Sequence, residues 1–156
     1  MLAAFRNFLA VAVLVLIPAR MVLAQANESR VALVLGNAAY RHADALRNPV
    51  NDAQAMAAAL RQTGFDVILK VNATRREMTE AMRSFASKVT PGGVALFYYA
   101  GHGVQVRGAN YLLPVDAALA EEDELKYEAI DVNDVLGRLD EARVRLSLVI
   151  LDACRD

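Results

Sequence analysis

The sequence predicts an α/β fold built on a doubly wound, mostly parallel sheet with helices on both faces. Four short apolar segments indicate the strands: Val31 to Leu35, Phe65 to Leu69, Val94 to Tyr99 and Leu146 to Leu151. These segments are nearly continuous in aliphatic and aromatic residues, as strands covered on both faces are. Helical patterns lie between them, and strands that alternate with helices favour a parallel sheet.

Three segments carry helical periodicity together with start signals. The first is predicted to run from Asn51, in a capping box, to Gly64. The second begins at Thr74, with Glu77 in the reciprocal position of a capping box. The third follows Asp131 and repeats apolar residues at every third or fourth position. Each helix therefore presents one apolar face to a sheet.

Two of the predicted strands lead into reactive side chains. The strand Val94 to Tyr99 is followed by His102, and the last strand is followed by Cys154, the single cysteine of the chain. Parallel strands end at the same edge of a sheet, and neighbours lie about 5 Å apart, so we expect thiol and imidazole within reach of each other. A cysteine nucleophile and its base require this pair. The flanking Gly101 and Gly103 permit close backbone approach and offer amide donors to a developing oxyanion.

These residues resemble the large catalytic subunit of the caspase and metacaspase superfamily, in its bacterial branch. The resemblance covers residues 30–156, and 52 positions (154 minus 102) separate histidine from cysteine, close to the roughly 50 residues found in caspases. The matching segments are Gly36-Asn37, Tyr40, Leu46 to Ala53, Tyr99-Ala100-Gly101-His102-Gly103, Tyr111 to Asp116 and Asp152-Ala153-Cys154. The resemblance implies a caspase-like fold whose C-terminal strands are missing, since the chain stops two residues after the nucleophile.

The resemblance also implies a cysteine endopeptidase that hydrolyses peptide bonds through a thioester. His102 would be the general base and proton donor, Cys154 the nucleophile, and the amides of Gly103 and Cys154 the oxyanion hole. Asp152 and Asp52 fall on positions where metacaspases place acids that face the substrate's P1 side chain. Two carboxylates favour a P1 Arg or Lys and repel Asp. Asp52 has the alternative role of capping the following helix.

Other classes of function remain as alternatives. The main rival is a non-catalytic caspase-like module that binds or scaffolds partners. A nucleotide or flavin site is disfavoured, because the first strand runs into Gly36-Asn37 without a phosphate-binding glycine pattern. We expect no metal, although the acidic run Glu121 to Glu124 leaves Ca²⁺ binding open. The expected partners are protein or peptide substrates and a small-subunit segment or chain that completes the sheet. His42 is expected in a solvated loop.

The N-terminus has the pattern of a secretory signal peptide over residues 1–24. Arg6 precedes the apolar stretch Phe8 to Ile17 and a small-residue cleavage site, with cleavage after Ala26 as the alternative. The stretch is too short for a stable membrane span. We therefore expect a periplasmic or secreted protein, and a retained membrane anchor as the minority alternative. Removal takes Arg6 and Arg20 from 17 basic residues, so 15 face 18 acidic ones, which argues against nucleic acid as a partner.

Overall fold

The computed structural model describes residues 28–119 and 122–153. The predicted signal peptide and Cys154 lie outside these residues. Among these residues we find no helix with the length and the apolar character of a transmembrane span. The elements in chain order are β1 (Arg30–Gly36), α1 (Pro49–Gln62), β2 (Asp66–Val71), α2 (Arg75–Lys88), β3 (Val94–Ala100), β4 (Gly103–Val106), β5 (Ala109–Leu112), a turn of 3₁₀ helix (Glu122–Glu124), α3 (Leu125–Glu128), β6 (Ile130–Asp131), α4 (Val132–Glu141) and β7 (Leu146–Asp152).

The four predicted strands form one parallel sheet in the order β2-β1-β3-β7. From β1 the chain passes to a neighbour on one side, β2, and then crosses to the other side to form β3. The strand order therefore reverses between β1 and β3, which confirms the predicted doubly wound sheet. Ligand sites of such sheets lie outside the carboxyl ends of the strands near this reversal.

Helices cover both faces of this sheet, as predicted. On one face α1 packs Ala53, Ala57 and Leu60 against side chains of β1 and β3. On the other face α2 and α4 pack against the opposite side chains of the same strands, through Met78, Ala81, Met82, Phe85, Val135 and Leu139. Every residue of β3 is buried. The strand that ends just before His102 is thus the most enclosed element of the sheet.

The edge strand β7 is covered on one face only by the part of the chain that the structure describes. Val149 and Leu151 pack against the layer formed by α2 and α4. Leu146, Leu148 and Ile150 point to the other face and are 43%, 40% and 39% exposed. The apolar pattern predicted a strand covered on both faces. Residues 28–119 and 122–153 confirm this prediction for the face of β7 that packs on α2 and α4, and burial of the other face stays a prediction.

The helix starts agree with the sequence at α2 and differ at α1. The capping box at Thr74 is confirmed, since its N–H donates to the Glu77 carboxylate at 2.9 Å and its hydroxyl accepts from the Glu77 N–H at 3.3 Å. The capping box at Asn51 is wrong. Helix α1 begins two residues earlier, with Pro49 at its first position and Asn48 as an N-cap that makes no side-chain hydrogen bond. Proline at this position has the backbone angle that a helix requires and lacks an N–H that would stay unpaired.

A small antiparallel sheet of order β4-β5-β6 was not predicted. Its hairpin turns at Arg107 and Gly108, which both have positive φ, 50° and 83°, as the two-residue turns that suit twisted strands require. Strands β4 and β5 are each four residues long, too short for a clear alternating pattern. Strand β6 leads into α4, where Asp131 caps the helix by accepting from the Asn133 N–H at 2.8 Å, in agreement with the predicted start.

A fully buried asparagine joins the end of β1 to two distant segments. The side-chain oxygen of Asn37 accepts from the Ala73 N–H at 2.9 Å, and its amide nitrogen donates to the Leu113 carbonyl at 3.1 Å. Its backbone N–H donates to the Ala100 carbonyl at 2.9 Å. Because buried polar groups are costly when unpaired, these bonds favour one arrangement of the three segments.

We predict that Asn37→Asp lowers the free energy of unfolding by about 3 kcal/mol, because an acceptor replaces the donor to the Leu113 carbonyl and a charge becomes buried. The matched control is Asn72→Asp. The Asn72 side-chain oxygen accepts from the N–H groups of Ala38 and Ala39 at 2.9 and 3.0 Å, and an aspartate keeps this acceptor, so the expected change is within about 0.5 kcal/mol. Urea unfolding followed by circular dichroism measures both, and equal losses would contradict the role of Asn37.

Candidate functional site

The carboxyl ends of β3 and β7 lie side by side at one edge of the sheet. Ala100 is in register with Asp152. The Gly101 N–H donates to the Asp152 carbonyl at 3.2 Å, so the pairing continues one step beyond β3. The loop that carries His102 therefore lies beside the end of β7. The described chain stops there, one residue before Cys154.

The His102 side chain is half-buried and contacts two residues of the loop that follows β1. Its Nε2 lies 2.8 Å from the carbonyl oxygen of Asp44. A carbonyl only accepts hydrogen bonds, so Nε2 carries the proton of the neutral ring and Nδ1 is left as the basic nitrogen. The Tyr40 ring lies against the imidazole with 4.6 Å between ring centroids. These contacts together select one tautomer and one ring orientation.

Two tyrosine hydroxyls contact the backbone of His102. The Tyr40 hydroxyl accepts from the His102 N–H at 2.8 Å, and the Tyr99 hydroxyl lies 2.6 Å from the His102 carbonyl and 3.0 Å from the Leu113 carbonyl. The two hydroxyls are 3.2 Å apart. Burial raises the pKa of Tyr99 well above its ordinary value, and it also raises the pKa of Tyr40. Both phenols therefore remain protonated donors at neutral pH.

Gly101 allows the chain to pass directly over these two tyrosines. A Cβ at this position would lie 2.5 Å from the Tyr40 hydroxyl and 2.6 Å from the Tyr99 hydroxyl, so any other residue would displace them. The expectation of a free amide donor at Gly101 is wrong, because its N–H already donates to the Asp152 carbonyl. The role of this glycine in the site is close packing.

The Gly103 N–H points to the side of β4 that faces away from β5. Gly103 opposes Leu112 in the β4–β5 pair, and the Leu113 N–H donates to the His102 carbonyl at 3.0 Å. This bond makes Gly103 and Leu112 a non-hydrogen-bonded pair, in which both N–H groups point away from the partner strand. A Cβ on Gly103 would lie 3.3 Å from the Cβ of Ala153, so the loop packs against the last described residue.

A cleft of about 440 Å³ opens beside His102, between the start of α1 and the ends of β3 and β7. Its lining residues are Leu46, Arg47, Asn48, Pro49, Asp52, Ala100, Gly101, His102 and Asp152. The two acids that the sequence assigned to a P1 pocket, Asp52 and Asp152, thus share one cleft with His102. Both side chains reach solvent.

The Tyr98 hydroxyl lies near both carboxylates of this cleft. It donates to Oδ2 of Asp152 at 3.4 Å. Burial raises the pKa of Tyr98, and the negative charges of Asp152 and Asp52 raise it further. The phenol therefore stays neutral and leaves the negative charge of the cleft intact. Successive residues of a strand point to opposite faces, so Tyr98 contacts the cleft while Tyr99 contacts the His102 loop.

Asp52 lies in the first turn of α1 and does not cap the helix. The N-cap is Asn48, and the Asp52 N–H donates to the Asn48 carbonyl at 3.0 Å in an ordinary helical bond. The capping alternative is therefore wrong, although a carboxylate in this turn does interact favourably with the helix dipole. His42 lies in an exposed bend, as expected.

Within residues 28–119 and 122–153, no group of three or more His, Cys, Asp or Glu side chains is placed to hold a metal ion. The acidic run at 121–124 lies partly outside these residues, so Ca²⁺ binding there stays the open alternative to the expected absence of a metal. A second cleft of about 460 Å³ lies close to this run, between the β4–β5 hairpin and α3. Its Arg107 pairs with Glu122 at 3.2 Å, and it is separate from the sheet edge that carries His102.

The sequence did not indicate a role for four groups that contact the site residues, namely the Asp44 carbonyl and the hydroxyls of Tyr40, Tyr98 and Tyr99. The carbonyl leaves no trace in the sequence, because every residue at that position would provide one. The tyrosines do leave a signal. Two neighbouring phenols in an otherwise apolar strand indicate polar partners on both faces, since a buried hydroxyl requires a hydrogen bond.

Comparison with known proteins identifies related sequences. A family model described as Caspase domain matches residues 29–156. Mucosa-associated lymphoid tissue lymphoma translocation protein 1 of Homo sapiens is 33% identical over 128 residues, which cover 82% of this chain and 15% of that protein. Its homolog in Mus musculus is 32% identical over 128 residues, which again cover 82% of this chain and 15% of that protein. The chain thus spans a small part of the length of these relatives.

A solved structure shares the fold. The crystal structure of a protein from Geobacter sulfurreducens matches with a TM-score of 0.63 and 26% identity, over 81% of this chain and 50% of that one. The parallel sheet with helices on both faces agrees with the α/β fold of caspases. The family match, these relatives and the fold show that the chain belongs to the caspase-domain family of cysteine peptidases.

Proposed function

We propose that this protein is a cysteine endopeptidase in which His102 and Cys154 form the catalytic dyad. The observation that carries the proposal is the pairing of β3 with β7, because it places the His102 loop against the segment that leads to Cys154. Gly103 packs against Ala153, the residue that precedes the cysteine. Neighbouring strand ends of this kind bring a nucleophile and its base within reach of one substrate.

The proposed reaction begins when the Cys154 thiol gives its proton to Nδ1 of His102. A free thiol is mostly protonated at neutral pH, so the base is needed to form the thiolate. The sulfur then adds to the substrate carbonyl carbon. The tetrahedral intermediate breaks its C–N bond while Nδ1 returns the proton to the leaving amine, which yields a thioester. Water, deprotonated by the same imidazole, hydrolyses the thioester and restores the thiol.

The amides of Gly103 and Cys154 are the proposed oxyanion donors. The N–H of Gly103 points away from β5, as its position in the antiparallel ladder requires. A donor that is already in place stabilises the negative oxygen of the tetrahedral intermediate without reorganisation. Loss of one such donor costs on the order of 3 kcal/mol of barrier in other acyl-transfer enzymes.

Cleavage after Arg or Lys is proposed from the charge of the cleft beside His102. Asp52 and Asp152 line this cleft together with Arg47, so the lining residues include two acids and one arginine. The net negative lining attracts a basic P1 side chain and repels an acidic one. Tyr98 supports this charge, since its neutral hydroxyl donates to Asp152 and removes no negative charge.

We further propose that a small-subunit segment or a separate chain completes the sheet beside β7. The outer edge of β7 offers backbone groups that can pair with another strand. Leu146, Leu148 and Ile150 are exposed on one face of this strand. An added strand and its connections would remove these side chains from water, which favours association.

The dyad is tested by His102→Ala and Cys154→Ala in the full-length protein. Each is expected to lower kcat/KM for a fluorogenic peptide with Arg at P1 by at least about 10³-fold, because either change removes proton transfer or the nucleophile. The matched control is His42→Ala, an exposed residue that does not line the cleft, which should leave the rate unchanged. Activity that survives Cys154→Ala would refute the proposed nucleophile.

The rival function, a caspase-like module without turnover, predicts a different reactivity of Cys154. In the proposed enzyme, iodoacetamide should alkylate Cys154 faster than a model thiol near neutral pH, and His102→Ala should remove this advantage. Mass spectrometry of the modified protein measures both rates. An unreactive thiol in the folded protein would favour the binding module.

Specificity is tested by Asp52→Asn and Asp152→Asn. Each is expected to lower kcat/KM for the Arg-P1 peptide by roughly 10- to 100-fold, because the basic side chain loses an ionic partner. Asp140→Asn, on the exposed surface of α4, makes the same charge change away from the cleft and should have no effect. The assignment fails if the unsubstituted protein turns over an Asp-P1 peptide faster than its Arg counterpart.

A further inference from the structure

We propose that the Tyr99 hydroxyl is a positioning group that sets the direction of the Gly103 N–H. The inference rests on the proposed function, since this direction matters only if an oxyanion forms beside Cys154. The peptide unit between His102 and Gly103 is planar and trans, so its carbonyl and its N–H point in opposite directions. A contact that fixes the His102 carbonyl therefore also aims the Gly103 amide.

Two donors fix this carbonyl from the side of the core. The Tyr99 hydroxyl lies 2.6 Å from the His102 oxygen, and the Leu113 N–H lies 3.0 Å from it. Tyr99 is fully buried, and burial raises its pKa well above the ordinary value, so the phenol stays a donor. Two donors on one carbonyl oppose rotation of the peptide plane more strongly than the Leu113 bond alone.

Tyr40 completes the arrangement. The carbonyls of His102 and Leu113 only accept, and the Tyr99 hydroxyl has a single proton. The shorter contact, 2.6 Å to the His102 oxygen against 3.0 Å to the Leu113 oxygen, assigns this proton to the His102 carbonyl. The Tyr99 oxygen then accepts from the Tyr40 hydroxyl 3.2 Å away. Tyr40 in turn accepts the His102 N–H at 2.8 Å. The peptide units on both sides of His102 are thus fixed by one pair of phenols, which Gly101 allows to lie directly beneath the chain.

The fold does not require the Tyr99 hydroxyl to satisfy buried carbonyls. The Leu113 carbonyl also accepts from the Asn37 side chain at 3.1 Å, and the His102 carbonyl also accepts from the Leu113 N–H at 3.0 Å. Tyr99→Phe keeps the buried ring and leaves each carbonyl with a partner. The variant is therefore expected to fold, and its defect should lie in the direction of the peptide plane.

The test compares the full-length protein with Tyr99→Phe in three reactions. Hydrolysis of an Arg-P1 peptide should lose about 10- to 100-fold in kcat, with KM within about twofold, because a misdirected oxyanion donor weakens transition-state binding. The inhibition constant of an Arg peptide aldehyde, which the Cys154 sulfur converts into a tetrahedral adduct, should rise by the same factor. Alkylation of Cys154 by iodoacetamide forms no tetrahedral oxyanion and should stay within about twofold.

Tyr127→Phe is the matched control, since it also removes one phenol hydroxyl, from a side chain that is 65% exposed. It should leave all three reactions unchanged. An unchanged kcat in Tyr99→Phe would overturn the inference, and so would alkylation slowed as much as hydrolysis, because the hydroxyl would then act on the thiol or on His102. A loss of activity that follows a loss of folded protein in thermal unfolding would overturn it as well. A wild-type protein that neither cleaves the peptide nor binds the aldehyde would contradict the proposed function itself.

Discussion

At the carboxyl end of the sheet, the buried side chain of Asn37 joins its own turn after β1 to Ala73 at the start of α2 and to Leu113 beyond the hairpin. The Leu113 N–H donates to the His102 carbonyl, and the Leu113 carbonyl lies 3.0 Å from the Tyr99 hydroxyl. Buried hydrogen bonds therefore run without interruption from β1 to the loop that carries His102. Buried polar groups cannot replace a lost partner with water, so these hydrogen bonds determine where the loop lies.

The two faces of the central strand β3 contact different parts of the candidate site. Tyr98 lies on the face of α1 and contacts the acid at the end of β7, whereas Tyr99 lies on the opposite face and contacts the His102 loop. Since every residue of β3 is buried, both phenols extend from a closely packed strand, which favours a precise site. The other wall of the cleft has less support. Asp152 ends β7, whose Leu148 and Ile150 are exposed in the part of the chain that the structure describes, so the segment proposed to complete the sheet would also support this wall.

The main elements could be predicted from local sequence because their signals are strong. The four apolar runs became the four parallel strands, and the Thr74 capping box marked the start of α2 correctly. Weak or competing signals account for the errors. Pro49 starts α1 ahead of the capping box proposed at Asn51. The β4–β5 hairpin has four-residue strands and turns at Arg107-Gly108, which is a poorer turn signal than Asn-Gly.

The sequence by itself determined which side chains could carry chemistry and that strand ends present them, because an imidazole, a carboxylate or a thiol is a property of its residue. It indicated His102 as a candidate base and Asp52 and Asp152 as candidate residues of a P1 pocket. Only the tertiary structure decided what the backbone does around them. The Asp44 carbonyl selects the tautomer of His102, the Gly101 N–H is already bonded, and the Gly103 N–H is left pointing outward. Every residue has the same amide and carbonyl, so their roles follow from strand register and from contacts between segments distant in sequence.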